Sequence, residues 1–230
     1  MKNLKIDKSF VKQLVCDNKA LVIMAVYAVI YLITFAYLEN RDVTHYTIES
    51  VLDHYIPFCE VFVIPYFLWF PYVALTVCFI CLFDKEEGNP LVAFLIIGMT
   101  IFLVVSAVFP NGHNLRPAAF ERDNIFTDMI AGLYKTDTST NILPSIHVYN
   151  SIAIMIAVYR SRCFKKHIVI KSLMILLGAS IICSTVLIKQ HSMIDVFLAF
   201  IIAIVMFPLC YRKAVFKEKS AELAGASIEK

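Results

Sequence analysis

The run STVLIKQHSMIDV, residues 184–196, sets Lys189, His191 and Asp195 between two strongly apolar stretches. Ionisable side chains beside a membrane core are costly and rare unless they have a task. His191 and Asp195 are four residues apart, so on a helix they share one face. A carboxylate accepting one ring N–H fixes the imidazole tautomer and leaves the other nitrogen's lone pair free to attack. A second histidine, His147 in LPSIHVYNS, could give a leaving alkoxide its proton. Arg116 in FPNGHNLRP and Lys189, helped by Ser145 and the first backbone N–H groups of the following helix, would hold an anionic group. These parts suit phosphoryl transfer, which needs mainly positioning and charge stabilisation. The Asp–His spacing also fits a satisfied buried hydrogen bond or two metal ligands, but no third clustered ligand pair accompanies it. No metal and no cofactor are therefore expected.

The elements that must position these residues are membrane helices. Of the 230 residues 60% are hydrophobic and 17% charged, against about 45–50% and about 25% in a soluble domain. The net charge of +3 is small, and no basic, aromatic-interleaved stretch points to nucleic acid. The seven cysteines lie mostly inside apolar runs (Cys78, Cys81, Cys183, Cys210) and read as small buried hydrophobes. A spanning helix takes about 20 apolar residues. Six segments qualify: 20–38, 57–83, 90–109, 145–160, 168–188 and 192–211. The fourth is short and polar at its start, and Pro57, Pro65 and Pro71 predict a kinked or late-starting second helix. The first reads as an uncleaved anchor, since no A-x-A-like site follows it.

Lysine and arginine predict orientation. Lys2, Lys5, Lys8, Lys12 and Lys19, the loop with Arg160, Arg162, Lys165 and Lys166, and the tail with Arg212, Lys213, Lys217 and Lys219 fall on one side of a six-span chain. That side should be cytoplasmic, with both termini inside and the polar cluster outside, at the plasma membrane. The expected organisation is an N-terminal arm (1–19), a six-span all-α catalytic domain (20–211, motifs within 109–195) and a cytoplasmic tail (212–230), frayed at its end. Residues 47–55 and 124–135 place apolar side chains on one helical face and predict short interfacial helices.

The three polar fragments resemble the motifs of the type 2 phosphatidic acid phosphatase superfamily, which also holds vanadium haloperoxidases and sphingolipid-type phosphotransferases. That pattern is K-x6-R-P, then P-S-G-H, then S-R-x5-H-x3-D. The first motif survives as Arg116-Pro117, with Phe109 at the lysine position. The second reads Pro144-Ser145-Ile146-His147, with Ile for Gly. The third reads Ser184-Thr185, then His191 and Asp195 at the family spacing, with Thr for Arg. The likeness covers roughly residues 60–210 and includes the six-span layout. It implies His191 as nucleophile, Asp195 as its orienting partner, His147 as acid and then base, and Arg116 and Ser145 as phosphate ligands. Lys189, four residues after Thr185, is the candidate replacement for the lost arginine, one turn further along the same helical face. A lysine is a point charge without the bidentate fork.

The expected function is an integral membrane phosphatase acting on a lipid phosphate or pyrophosphate through a phosphohistidine. One alternative is a phosphotransferase of the inositol phosphorylceramide or sphingomyelin synthase type, passing the group to an alcohol. Another is a non-catalytic lipid-binding protein, for which an aligned nucleophile and acid would have no use. A haloperoxidase would need the cations missing at Phe109 and Thr185. Lys189 also fits a snorkelling interfacial cation, and Pro144-Ser145 a helix start. Trp69 and Tyr66 in IPYFLWFPY read as packing and interface anchors, and His45, His54 and His113 as interfacial polar residues. No oligomeric state follows from the chain.

Overall fold

The computed structural model describes residues 18–226, with side chains through Arg212. The expected N-terminal arm therefore lies almost wholly outside the described residues. The helices are α1 (Lys19–Glu39), α2 (Val63–Phe83), α3 (Lys85–Val108), α4 (Ile125–Thr136), α5 (Ile146–Arg160), α6 (Ile168–Leu187) and α7 (Met193–Ala226). The all-α membrane bundle expected from the sequence is present. Among the described residues five stretches are long and apolar enough to cross a membrane: Lys19–Glu39, Glu60–Phe83, Lys85–Val108, Ile168–Leu187 and Met193–Arg212. They carry an outward apolar belt that includes Ile33 on α1, Leu75 on α2, Leu176 on α6 and Ile204 on α7.

The fourth expected span, α5, has only 15 residues. It nevertheless runs from one end of the bundle to the other. At its start His147 lies beside the first turns of α2, and at its end the Arg160 Nε meets Glu87 Oε2 near the start of α3 at 3.3 Å. Most of α5 is enclosed by α2, α3, α6 and α7, with Val148, Ala153, Ile154, Ala157 and Val158 fully buried. Its small residues and its tight fit to α3 explain the enclosure. Gly98 on α3 leaves room for the Tyr149 ring, which stacks on Phe94 at 4.7 Å and donates its hydroxyl to the Phe94 carbonyl at 3.1 Å.

The connections at the site end are stitched together. β1 (Tyr46–Thr47), after α1, pairs in parallel with β2 (Asn111–Gly112), after α3, and Gly112 bridges to Thr140 before α5. Asn111 Oδ1 accepts from Ile142 N and Leu143 N at 3.0 Å each, which sets the approach to α5. Glu39 at the end of α1 accepts from Asn141 Nδ2 at 2.6 Å and from the Thr138 hydroxyl. α2 starts late, at Val63, behind a 3-10 turn (Glu60–Phe62), as its prolines predict.

Two local expectations change. The 47–55 segment holds no α-helix, only a strand pair and a 3-10 turn, Val51–His54. Asp53 is drawn onto α7 instead of facing solvent, so the apolar spacing serves a single turn. By contrast 124–135 is helical as expected, opened by a capping box between Asn124 and Thr127. At the other terminus α7 continues to Ala226, through most of the last dozen residues expected to fray. The run KSAELA is rich in strong helix formers, which carry the helix on.

Candidate active site

His191 and Asp195 stand at the α6–α7 junction. The chain leaves α6 at Leu187, turns over at Lys189 (φ 53°), and re-enters a helix at Met193. Gln190 N and His191 N both donate to the Thr185 carbonyl, at 2.9 and 3.0 Å. Thr185, at the position of the family arginine, thus supplies a backbone oxygen that shapes the turn, while its hydroxyl bonds back to Ile182 at 2.7 Å. Asp195 is fully buried. Its Oδ2 lies 3.3 Å from His191 Nδ1 and accepts from Ser192 N at 2.9 Å. With Nδ1–H donating to the Asp195 carboxylate, Nε2 of His191 keeps its lone pair.

His147 comes from the first turn of α5. Ser145 caps that helix, accepting from Val148 N at 3.4 Å, and Ser145 N donates to the Asp195 carbonyl at 3.4 Å, which ties α5 to α7. The two imidazole centroids are 5.6 Å apart. His147 packs against Tyr66 at 4.6 Å and Trp69 at 4.2 Å. Neither of its nitrogens has a hydrogen-bond partner among the described residues. His191, Asp195, His147 and Ser145 therefore converge from α5 and α7 onto one point.

Arg116 reaches the same end along a different route. It donates to the carbonyls of Tyr134 (3.2 Å), Asp137 (2.7 Å) and Thr138 (2.8 Å) and to Gln190 Oε1, and lies 4.3 Å over the Tyr134 ring. Burial lowers its pKa, and Asp137 opposes that drop. Its Nε is buried without a partner among the described residues. Gln190, the neighbour of His191, couples this cation to the turn that carries His191.

Lys189 goes elsewhere. Helix α6 ends before it, so it does not continue the helical face of Thr185, and its positive φ swings the side chain away. Its amine donates to the carbonyls of Asp53 (2.8 Å) and Ile56 (2.6 Å). Burial lowers its pKa, with Asp53 opposing. Phe109, at the family lysine position, stacks on Tyr46 at 4.9 Å.

Three further residues border the candidate site. Trp69 and Tyr66 are walls of the His147 pocket, a role their apolar run does not reveal. Tyr66 also donates to Asp137 Oδ2 at 3.0 Å. His113 is buried under the His191 turn: its Nδ1 accepts from Leu115 N at 3.1 Å, so Nε2 carries the proton and donates to the Gln190 carbonyl at 3.0 Å. Burial pushes the pKa of His113 down to about 4, so it is neutral near pH 7. The composition signal for His113 was its place in the first motif loop, two residues beyond Asn111.

A cavity of ≈ 790 Å³ opens from this point between α1, α2, α3 and α5. Its walls are chiefly apolar, with Met24, Phe35, Phe67, Phe70 and Met99 among them, and His147 and Asp137 lie at its polar end.

No curated protein and no solved structure gives a significant match to the chain. Residues 115–219, which carry Arg116, Ser145, His147, His191 and Asp195, match the family model of the PAP2 superfamily, and the chain is thus consistent with a type 2 phosphatidic acid phosphatase superfamily member.

Proposed function

We propose that this protein is a metal-independent phosphatase acting on a lipid phosphate or pyrophosphate. The observation that carries the reading is the pairing of two imidazoles 5.6 Å apart, one of which, His147, lines an apolar cavity of ≈ 790 Å³. The phosphate sits between the rings and the lipid chain enters the cavity. His191 Nε2 attacks phosphorus, forming a P–N bond as the P–O bond to the lipid breaks, and His147 passes its proton to the departing oxygen. Water then attacks the phosphohistidine, His147 takes its proton, and the P–N bond breaks to release phosphate. Asp195 holds the tautomer. The Arg116 Nε, the Ser145 hydroxyl and the N–H groups opening α5 stabilise the anion.

The same reading makes α5 a sixth span. At 15 residues it is about 22 Å long, and its enclosure removes the need to match the lipid thickness. Both termini are then cytoplasmic and the site faces the outer surface of the plasma membrane. Transfer to an alcohol is the second reading. Ile146 in place of the family glycine supports it, packing against Tyr31, Met99 and Phe102 beside the cavity and adding bulk next to the phosphate position.

The test is brief exposure of purified protein to ³²P-labelled lipid phosphates, with and without added alcohols. Acid-labile label on the wild type and none on His191→Ala is the expected result. Release as inorganic phosphate identifies the hydrolase, and label in a new lipid identifies the transferase. Equal turnover by wild type and His191→Ala would overturn the mechanism.

A further inference from the structure

We propose that Asp53, from the connection between α1 and α2, is a positioning residue that sets the turn carrying His191; the proposal rests on the phosphatase reading. Asp53 lies outside the matched residues 115–219 and is 2% exposed. Its carboxylate meets three donors: Oδ2 accepts from Ser50 N at 2.7 Å and Ser192 Oγ at 2.6 Å, and Oδ1 accepts from Met193 N at 2.8 Å.

The two contacts to 192 and 193 act where they matter for His191. Met193 N is an orphan donor of the first turn of α7, and an anion at a helix N-terminus is favourable. Ser192 Oγ, oriented by Asp53, accepts in turn from Ile194 N at 3.2 Å. Ser192 N donates to the same Asp195 oxygen that holds His191 Nδ1. A continuous path of hydrogen bonds thus runs from Asp53 through Ser192 to Asp195 and the imidazole.

The grip is also two-sided. The Lys189 amine, two residues before His191, donates to the carbonyls of Asp53 and Ile56. The 53–56 turn therefore holds the chain on both flanks of the nucleophile, at 189 and at 192–193. A carboxylate is required for this, since three donors converge on its two oxygens and an asparagine would turn an N–H₂ toward one of them.

The experiment compares full-length wild type, Asp53→Asn, Asp53→Glu and Glu49→Gln in detergent micelles. Glu49 lies in the same connection and accepts from Asn114 N at 2.7 Å, so its variant reports a contact of the same connection that touches neither Ser192 nor Met193. kcat and KM for lipid phosphate are measured, with thermal unfolding and ¹⁵N-histidine ring spectra assigned through His191→Gln. Asp53→Asn should lower kcat by about 10- to 100-fold with KM within about twofold, as a nucleophile displaced by about 1 Å would. The His191 signals should move from a single Nδ1–H tautomer to a mixture. Asp53→Glu should recover part of both, and Glu49→Gln should keep wild-type ring signals. Unchanged kcat and tautomer in Asp53→Asn overturn the proposal, as does a loss equal to that of Glu49→Gln. If wild type neither turns over nor traps phosphate, the phosphatase reading fails, while the ring spectra still decide the role of Asp53. Should Asp53→Asn not fold, Ser192→Ala breaks the same path, and an unchanged His191 tautomer there is equally fatal.

Discussion

Replacing Gly98 by alanine should damage catalysis from a distance. A Cβ at Gly98 would lie 1.9 Å from Cε1, 2.3 Å from Cδ1 and 2.4 Å from Cζ of Tyr149, where ordinary contact begins at 3.4 Å. The ring would have to retreat by about 1.5 Å, and it has no free direction: it stacks on Phe94 and its hydroxyl is tied to the Phe94 carbonyl. Overpacking of this kind costs about 1–3 kcal/mol. Because Tyr149 is two residues from His147, the strain is relieved by moving the start of α5. A shift of about 1 Å in His147, the proposed proton donor, should cost about 100-fold in rate. Thermal unfolding and phosphate release in the same detergent measure both effects. Gly132→Ala on α4 is the control, since no atom lies within 4 Å of its added Cβ; it should gain up to about 1 kcal/mol of helix propensity and keep full activity. In a Tyr149→Ala background the Gly98→Ala penalty should largely disappear. Additive penalties in the double variant, or a Gly98→Ala protein with normal stability and rate, would refute this account of how α5 is seated.

Lys189→Met should lower thermal stability by leaving the part-buried Asp53 and Ile56 carbonyl bonds unmade, at about 1 kcal/mol or a little more, and should reduce kcat. KM for lipid phosphate should stay within about twofold; a large rise in KM would place the amine on the anion instead. His113 supplies a pH window: its folded pKa of about 4 lies below the unfolded value of 6.5, so its stabilising contribution is complete above pH 6.5 and is lost as pH falls toward 4. At about 1.4 kcal/mol per unit the loss approaches about 3 kcal/mol, and unfolding measured against pH should show a shallower acid decline in His113→Gln. Asn150, 1% exposed and lining the cavity, has no partner for Oδ1 among the described residues. Asn150→Leu should raise stability by about 1–2 kcal/mol, while lowering kcat/KM for lipid phosphates and not for a short soluble phosphomonoester.

What could be read from the chain followed from local rules. The apolar runs are long enough to declare α1, α2, α3, α6 and α7, and the spacing of His191 and Asp195 predicts their contact, although His191 makes it from the turn before α7 and not from the helix face. The approach of His147 to that pair was legible only through the order of the motifs, because nothing local in LPSIHVYNS names a partner on α7. Other features were hidden by their own chemistry. Trp69 and Tyr66 sit in a run where every residue is apolar or aromatic, so periodicity cannot separate the face toward His147 from the face toward lipid. The end of α6 carries no glycine or proline: the turn is made by Lys189 at positive φ, and the reward for that conformation is a pair of carbonyls 133 and 136 residues away. Asp53 looked like one polar residue of an amphipathic segment, while its three donors come from its own turn and from α7. Long-range polar contacts of this sort have no signature in a single sequence.

The two histidines are held so differently that their roles should be separable. His191 has a carboxylate on Nδ1, which is what a nucleophile needs: one nitrogen committed, the other aimed with its lone pair free. His147 has no hydrogen bond on either nitrogen and is oriented by contact with Tyr66 and Trp69 alone. A ring held by packing keeps both nitrogens for substrate and water, which suits a group that must give up a proton and then take one. Asp195→Asn should therefore slow formation of the phosphohistidine, because the amide no longer selects the attacking tautomer. With an aryl phosphate, whose leaving group departs without a proton, Trp69→Ala leaves attack by His191 in place but frees the His147 ring, so only activation of water suffers. Rapid quench with a ³²P-labelled aryl phosphate distinguishes the two: little trapped label in Asp195→Asn, and label above the wild-type level with slow decay in Trp69→Ala. Equal trapping in both variants would mean that the rings share their duties, and that the contrast in their surroundings serves packing alone.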